Sequence, residues 1–270
     1  MTLEKLQRFP IKRKRCPIPG HIPPSSHPFT FHMSKLISKM QAIIILSLVA
    51  VAFAGVPWIP EPRDQAWLDR HQGFVDNSIN NGHNITVLFY GDSITDAWRN
   101  TGLPTFNQHY APLGAANYGI GGDRTEHVLW RILNGEITNL NPKICVLKIG
   151  TNNLGANTDS DIARGISAIV DTLRSQLPDM KLLLLGVLPR NNAANTNRTE
   201  NVSRMISILD NGSSVRFLNM RDSFYAGDGV FYTDLYTADL LHLSALGYVT
   251  WQSTMDSLFQ EMYNSTQFYF

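Results

Sequence analysis

Ile85-Thr86-Val87-Leu88-Phe89-Tyr90-Gly91-Asp92-Ser93-Ile94 is the stretch from which the fold of this 270-residue chain can be read. Ile85–Tyr90 is apolar at every position but Thr86, without the alternation of a half-exposed strand. It therefore reads as a strand buried on both faces and stopped by a glycine turn. Similar runs follow at Lys143–Ile149, Lys181–Leu188 and Val215–Met220, with a weaker one at Ala115–Tyr118. Helical patterns separate them. Ile162, Ile166, Ile169, Val170, Leu173 and Leu177 form one apolar helix face, and Thr125–Leu133, Arg198–Leu209 and Ser244–Met262 are further helix candidates. Strands alternating with helices predict an α/β fold, a three-layer α/β/α sandwich around a central parallel sheet of about five strands. Residues 85–270 are assigned to this domain. Residues 55–84, with Trp58, Trp67 and several prolines, read as an N-terminal arm or first helix packed onto it. No internal repeat is present.

The formal charge of +1 hides an asymmetry. Residues 1–54 hold eight of the 23 Lys and Arg but one of the 22 acids, so residues 55–270 keep 15 basic against 21 acidic residues, a net charge of −6. A net-acidic body excludes nucleic acid as the expected partner, because phosphate binding needs clustered cations. The basic excess precedes an apolar run, residues 42–54, which is too short to span a bilayer and has the length of a leader's hydrophobic core. Ala52-Phe53-Ala54 supplies the small-x-small pattern of a leader-peptidase site. The expectation is a signal peptide over residues 33–54, cleaved before Gly55, and a secreted product; an uncleaved N-terminal anchor is the competing reading. Residues 1–32 read as a disordered or untranslated N-terminal extension, with Met33 or Met40 as the start. Five N-x-S/T sequons, at Asn84, Asn197, Asn201, Asn211 and Asn264, point to a glycoprotein. Of the two cysteines, Cys16 lies in the part expected to be removed, and Cys145 reads as a buried thiol in a strand.

Ligands of parallel α/β sheets bind beyond the carboxyl ends of the strands, so the segments after each strand are the places to look for chemistry. After the first comes Gly91-Asp92-Ser93-Ile94, which taken alone is a weak signal and reads first as Ser93 capping the next helix. After the second comes Gly119-Ile120-Gly121-Gly122-Asp123, which lets a backbone N–H approach a ligand but does not match a dinucleotide fingerprint. Gly150-Thr151-Asn152-Asn153 follows the third, with amides able to donate to developing negative charge or to make an Asx turn. Near the C-terminus lies Asp239-Leu240-Leu241-His242-Leu243-Ser244, an acid three residues before an imidazole that it can orient. Beyond residue 54 the histidines are His71, His83, His109, His127 and His242; only His242 has an acid at that spacing in a loop before a helix, and His127 is its best competitor.

These four blocks, in this order and each after a strand, resemble the SGNH (GDSL-like) hydrolase family over roughly residues 85–262. Within it the chain resembles the catalytic alpha subunits of platelet-activating-factor acetylhydrolase. The stretches that carry the likeness are Gly119–Asp123, His127-Val-Leu-Trp-Arg131, Asn134-Gly-Glu136, Pro142-Lys-Ile144, Gly150–Asn153, Leu188-Pro189 and Leu241–Ser244. The resemblance implies a flavodoxin-like fold and a serine esterase. It implies Ser93 as nucleophile, His242 as general base then acid, and Asp239 as its orienting carboxylate. The implied oxyanion hole is the backbone N–H of Ser93 and Gly122 with the Asn152 amide. The wider family has Asp after that Asn, whereas this chain has Asn153, as the acetylhydrolase subgroup does. The likeness also implies an acyl pocket kept short at Ile94, Thr151 and Leu241, hence acetyl esters.

The expected substrate is a small acyl ester, with a lipid or an O-acetylated sugar as the leaving group, so a secreted carbohydrate O-acetylesterase is the second reading. A homodimer is allowed for. No His/Asp cluster has metal-ligand spacing, and the reading requires no metal and no cofactor. From another class stands a non-catalytic secreted binding glycoprotein on the same fold.

Overall fold

In a computed structural model, the opening stretch forms β1 (Val87–Gly91), with all five residues buried. The structure describes residues 55–265, so the expectations for 1–32 and 33–54 lie outside the described residues. With β2 (Ala115–Gly119), β3 (Ile144–Lys148), β4 (Lys181–Leu185) and β5 (Val215–Leu218), β1 builds a five-stranded sheet in the order β2-β1-β3-β4-β5. Every pairing in it is parallel. Gly91 stands beside Gly119 on one side and Lys148 on the other. The chain leaves β1 toward β2, then returns to its other side for β3. That reversal opens a crevice at the carboxyl ends of β1 and β3, where ligands of open α/β sheets bind.

Helices cover both faces. They are α1 (Gln65–Asn81), α2 (Ser93–Asp96), α3 (Leu103–His109), α4 (Thr125–Arg131), α5 (Asp159–Gln176), α6 (Ala193–Ile206), α7 (Arg221–Phe224) and α8 (Ala245–Ser265). Strand side chains alternate between two cores, as the period of two requires. Leu88, Cys145, Leu147, Leu182 and Leu184 pack with Val128, Ile162, Ile166 and Val202, whereas Val87, Phe89, Val146, Leu183 and Leu185 pack with Trp98, Tyr248, Trp251 and Met255. Each fully buried apolar side chain contributes about 1.5–3 kcal/mol, which is why strands apolar on both faces hold the middle layer.

The α5 face forms as its spacing predicts, from an N-cap in which Thr158 accepts from the Asp161 N–H. The helix expected at Arg198–Leu209 starts earlier, at Ala193, because the Asn192 side chain accepts from Asn195 N and caps it. Residues 55–84 contain α1, capped by Asp64, with Trp67 and His71 buried against the domain. The short α3 and a hairpin of β6 (Tyr225–Gly227) and β7 (Val230–Phe231) had no periodic signal long enough to read. Beyond α4 a π-turn over Ile132–Glu136, with Gly135 at φ 107°, swings Glu136 into the interior.

Candidate active site

The turn after β1 leaves no room for a side chain at its hinge: a methyl on Gly91 would run into the Lys148 carbonyl and the Thr95 hydroxyl. The helix cap that follows is Asp92, whose Oδ1 accepts from Ile94 N at 3.0 Å. Ser93 is therefore the first residue of α2 rather than its cap, and its hydroxyl is free to face the crevice. Beneath it, Lys148 Nζ lies 3.3 Å from Asp92 Oδ1 and Oδ2, with neither side chain exposed to solvent beyond 1%.

The structure brings Ser93, His242 and Asp239 into one chain of hydrogen bonds. Ser93 Oγ is 2.9 Å from His242 Nε2, and His242 Nδ1 is 2.6 Å from Asp239 Oδ2. Asp239 Oδ1 accepts from Leu241 N at 2.9 Å, His242 N at 3.0 Å and Thr237 Oγ1 at 2.8 Å. Its partial burial raises the carboxyl pKa, but the bonds from the His242 ring, the two N–H groups and Thr237 outweigh this and hold it well below the usual carboxylate range. Leu240 sits at φ 50°, a left-handed conformation unfavourable to leucine. The Leu240 carbonyl accepts from Asn191 N at 2.8 Å and the Asp239 carbonyl from Asn191 Nδ2 at 2.9 Å, which pins this tight turn to the loop after β4. A hydroxyl hydrogen-bonded to an imidazole that is itself oriented by a carboxylate is the arrangement that activates a serine for attack on a carbonyl.

The loop after β2 packs against Ser93. A methyl on Gly121 would lie 3.8 Å from Ser93 Cβ, and Gly122 takes φ 80°. Gly121 N is held by Asp96 Oδ2 at 3.3 Å, while among the described residues Gly122 N meets no acceptor. The Asn152 amide donates to the Asp123 carbonyl at 2.8 Å, so the second and third blocks are joined. Behind the loop lies a buried network. Asp123 accepts from Trp67 Nε1 at 2.7 Å, Arg63 Nη1 at 3.1 Å and Arg131 Nε at 3.0 Å. Arg131 also reaches Glu136, which bonds Tyr90 and His71. Burial pushes the Asp123 carboxyl up, against the opposing pull of Arg131, Trp67 and Arg63.

Of the residues expected to bound the acyl group, Ile94 is buried in the same apolar cluster against which the half-buried Leu241 packs. Thr151 is buried, and its hydroxyl and carbonyl accept from Arg190 Nη1 at 3.1 and 2.9 Å. His127 does not join the Ser93 group: its Nδ1 accepts from Arg124 N at 3.0 Å. A cavity of about 420 Å³ opens instead along the edge strand β2, between Phe74, Asn77, Arg99 and Asn117, and none of the Ser93 group lines it. Cys145 is a buried free thiol, and burial raises its pKa. All five sequon asparagines are exposed. No described helix is long and apolar enough to cross a membrane.

Sequence reasoning missed Arg63, Lys148, Arg190 and Asn191. Lys148 carried a signal, since a lysine closing the apolar run Ile144–Leu147 has to find a buried anion. The others carried none.

A strand-turn-serine, a glycine loop, an asparagine loop and an Asp-x-x-His turn converging at a sheet's switch point define a hydrolase of the acyl-transfer type. The chain matches the model of the GDSL-like Lipase/Acylhydrolase family over residues 89–249, and it belongs to that family. It is 34% identical over 207 residues to the platelet-activating factor acetylhydrolase IB subunit alpha2 of Rattus norvegicus, covering 75% of this chain and 87% of that one. Among solved structures it resembles a GDSL-like lipase from Bacteroides thetaiotaomicron, at TM-score 0.59 and 20% identity over 72% of this chain and 98% of the other. It also resembles Axe2, an acetylxylan esterase from Geobacillus stearothermophilus, at TM-score 0.52 and 15% identity, covering 66% and 93%. At these identities the two structural likenesses speak for the fold.

Proposed function

We propose that this protein is an exported serine esterase that hydrolyses short acyl esters, acetyl esters above all. The observation that carries the reading is the run from Ser93 Oγ through His242 to Asp239, at 2.9 and 2.6 Å. Ser93 attacks the ester carbonyl while His242 Nε2 takes its proton, and Asp239 holds the ring with Nδ1–H toward its carboxylate. The oxyanion is met by the N–H groups of Ser93 and Gly122 and by the Asn152 amide, which turns from the Asp123 carbonyl to the substrate. His242 then protonates the departing alcohol, and water repeats the sequence on the acyl-enzyme. The acyl group lies beside Ile94, Thr151 and Leu241. The acetyl preference draws support from the placing of Ile94 and Leu241 in one apolar cluster and from the platelet-activating factor acetylhydrolase relative. Export draws support from the leader-like run at 42–54 and from five exposed sequon asparagines.

Hydrolysis of p-nitrophenyl acetate by the purified protein, set against Ser93→Ala, tests the chemistry. Equal rates for the two proteins would favour the binding-glycoprotein reading and end this one. Culture medium from a secreting host tests export: the product should begin at Gly55 and lose mass with a glycan-removing amidase.

A further inference from the structure

Glu126 lies on α4 with no exposed surface, and its Oε1 has no hydrogen-bond partner. The other oxygen is engaged, accepting from Asn153 Nδ2 at 2.9 Å and Thr125 Oγ1 at 3.3 Å. Arg124 Nη1 approaches Oε1 only to 3.7 Å. A buried carboxylate oxygen that accepts no hydrogen bond is costly, so what it faces matters. It faces Gly55. A methyl on Gly55 would lie 2.6 Å from Glu126 Oε1 and 2.9 Å from Glu61 Oε2, so two carboxylates converge on this one backbone residue. Asn157 Nδ2 holds the residue in place by donating to its carbonyl at 3.1 Å.

We propose that the paired carboxylates of Glu126 and Glu61 are the binding site for the protein's own α-amino group, created when the Ala54–Gly55 bond is cut. The inference rests on the export reading above. A leader peptidase adds water across that bond, leaving a carboxylate on Ala54 and an amine on Gly55 that takes up a proton. An ammonium offers several donors and a positive charge where a peptide N–H offers one donor and none. Glycine suits the position, because a Cβ there would press on both carboxylates.

The pin reaches the active site. Asn153, bonded to Glu126, follows Asn152, and its Oδ1 accepts from Thr125 N at 3.0 Å. The same arm carries Glu61 N to the Glu126 carbonyl at 3.3 Å and Arg63 to the Gly121 carbonyl at 2.8 Å. A mature amine at Gly55 thus ties the arm to both the glycine and the asparagine loops.

The test uses protein secreted from the full chain, with its N-terminus sequenced. A second full chain carries one extra residue between Ala54 and Gly55, which moves the amine by up to about 3.8 Å. The added residue should lower Tm by roughly 3–8 °C and speed acylation of the α-amine about tenfold. Glu126→Gln should lower Tm similarly, and in that background the extra residue should cost nothing further, as coupled partners require. Glu61→Gln, at an exposed position, provides a variant that leaves the fold intact and should speed acylation of the amine. An unchanged Tm and acylation rate with the extra residue, or additive losses with Glu126→Gln, would overturn the pin while leaving export standing. A product that starts elsewhere or stays inside the cell would overturn both.

Discussion

Lys148 Nζ stands 3.3 Å from each carboxylate oxygen of Asp92, and the pair is closed off from solvent directly beneath Ser93. Burial draws the Lys148 ammonium below its usual range, opposed by the Asp92 charge. Breaking such a pair by removing one partner typically costs about 3–5 kcal/mol, because the other charge stays buried and alone. Lys148→Met should therefore lower Tm by roughly 10 °C in a chain of this size. Lys148→Met with Asp92→Asn should recover much of that loss, since the amide still caps Ile94. Calorimetry decides it; a single variant melting with the parent would show that the pair is dispensable.

Removal of the Ser93, His242 or Asp239 side chain should lower kcat by about 10³–10⁶-fold, with Asp239→Ala the mildest, because residues acting as a unit fail together. Asn152→Ala should cost about 10²–10³-fold in kcat with little change in KM, as loss of one oxyanion donor does. Full activity in Asp239→Ala with loss in Asp234→Ala or Asp228→Ala would reassign the acid.

Acyl length should be limited by Ile94, next to the nucleophile, and Leu241, next to the base, which belong to one apolar cluster. Pressing added methylenes on a packed wall costs about 1–3 kcal/mol, so acetyl should exceed butyryl esters by at least about tenfold in kcat/KM. Octanoyl esters should barely turn over. Leu241→Ala should flatten the profile of p-nitrophenyl esters from two to eight carbons; a flat profile in the parent would mean an open pocket.

Acid should weaken the fold partly through His127. Burial, with Arg63, Arg124 and Arg131 nearby, lowers its pKa to about 3. An unfolded histidine titrates near about 6.5. Stability from this residue is whole above about pH 6.5 and declines toward pH 3, because only the unfolded chain binds the proton, at about 1.4 kcal/mol per pH unit. His127→Gln should melt less steeply with acidification between pH 6.5 and 4.5. Parallel slopes for the two proteins would show that other groups govern the decline.

The sequence by itself determined the layers of this protein and the residues of its candidate site. Apolar runs such as Ile144–Leu147 and the three-four spacing of Ile162, Ile166 and Ile169 specify strand and helix, because periodicity is a local property that burial reads directly. The Ser93, Gly122 and Asn152 blocks were legible because each follows a strand, and the His242 block because an acid stands three residues before the imidazole. The tertiary structure decided which charges meet. Ser93 and His242 are 149 residues apart, and nothing in either segment encodes the 2.9 Å between them. Asp123 could have paired with any of 15 basic residues in the body, and the fold gave it Arg63 and Arg131. Gly55 was marked only as the residue after the expected cleavage, and Glu126 carried no signal at all. Electrostatic partners are selected by what packing leaves adjacent and dry, and that is settled only when the layers close.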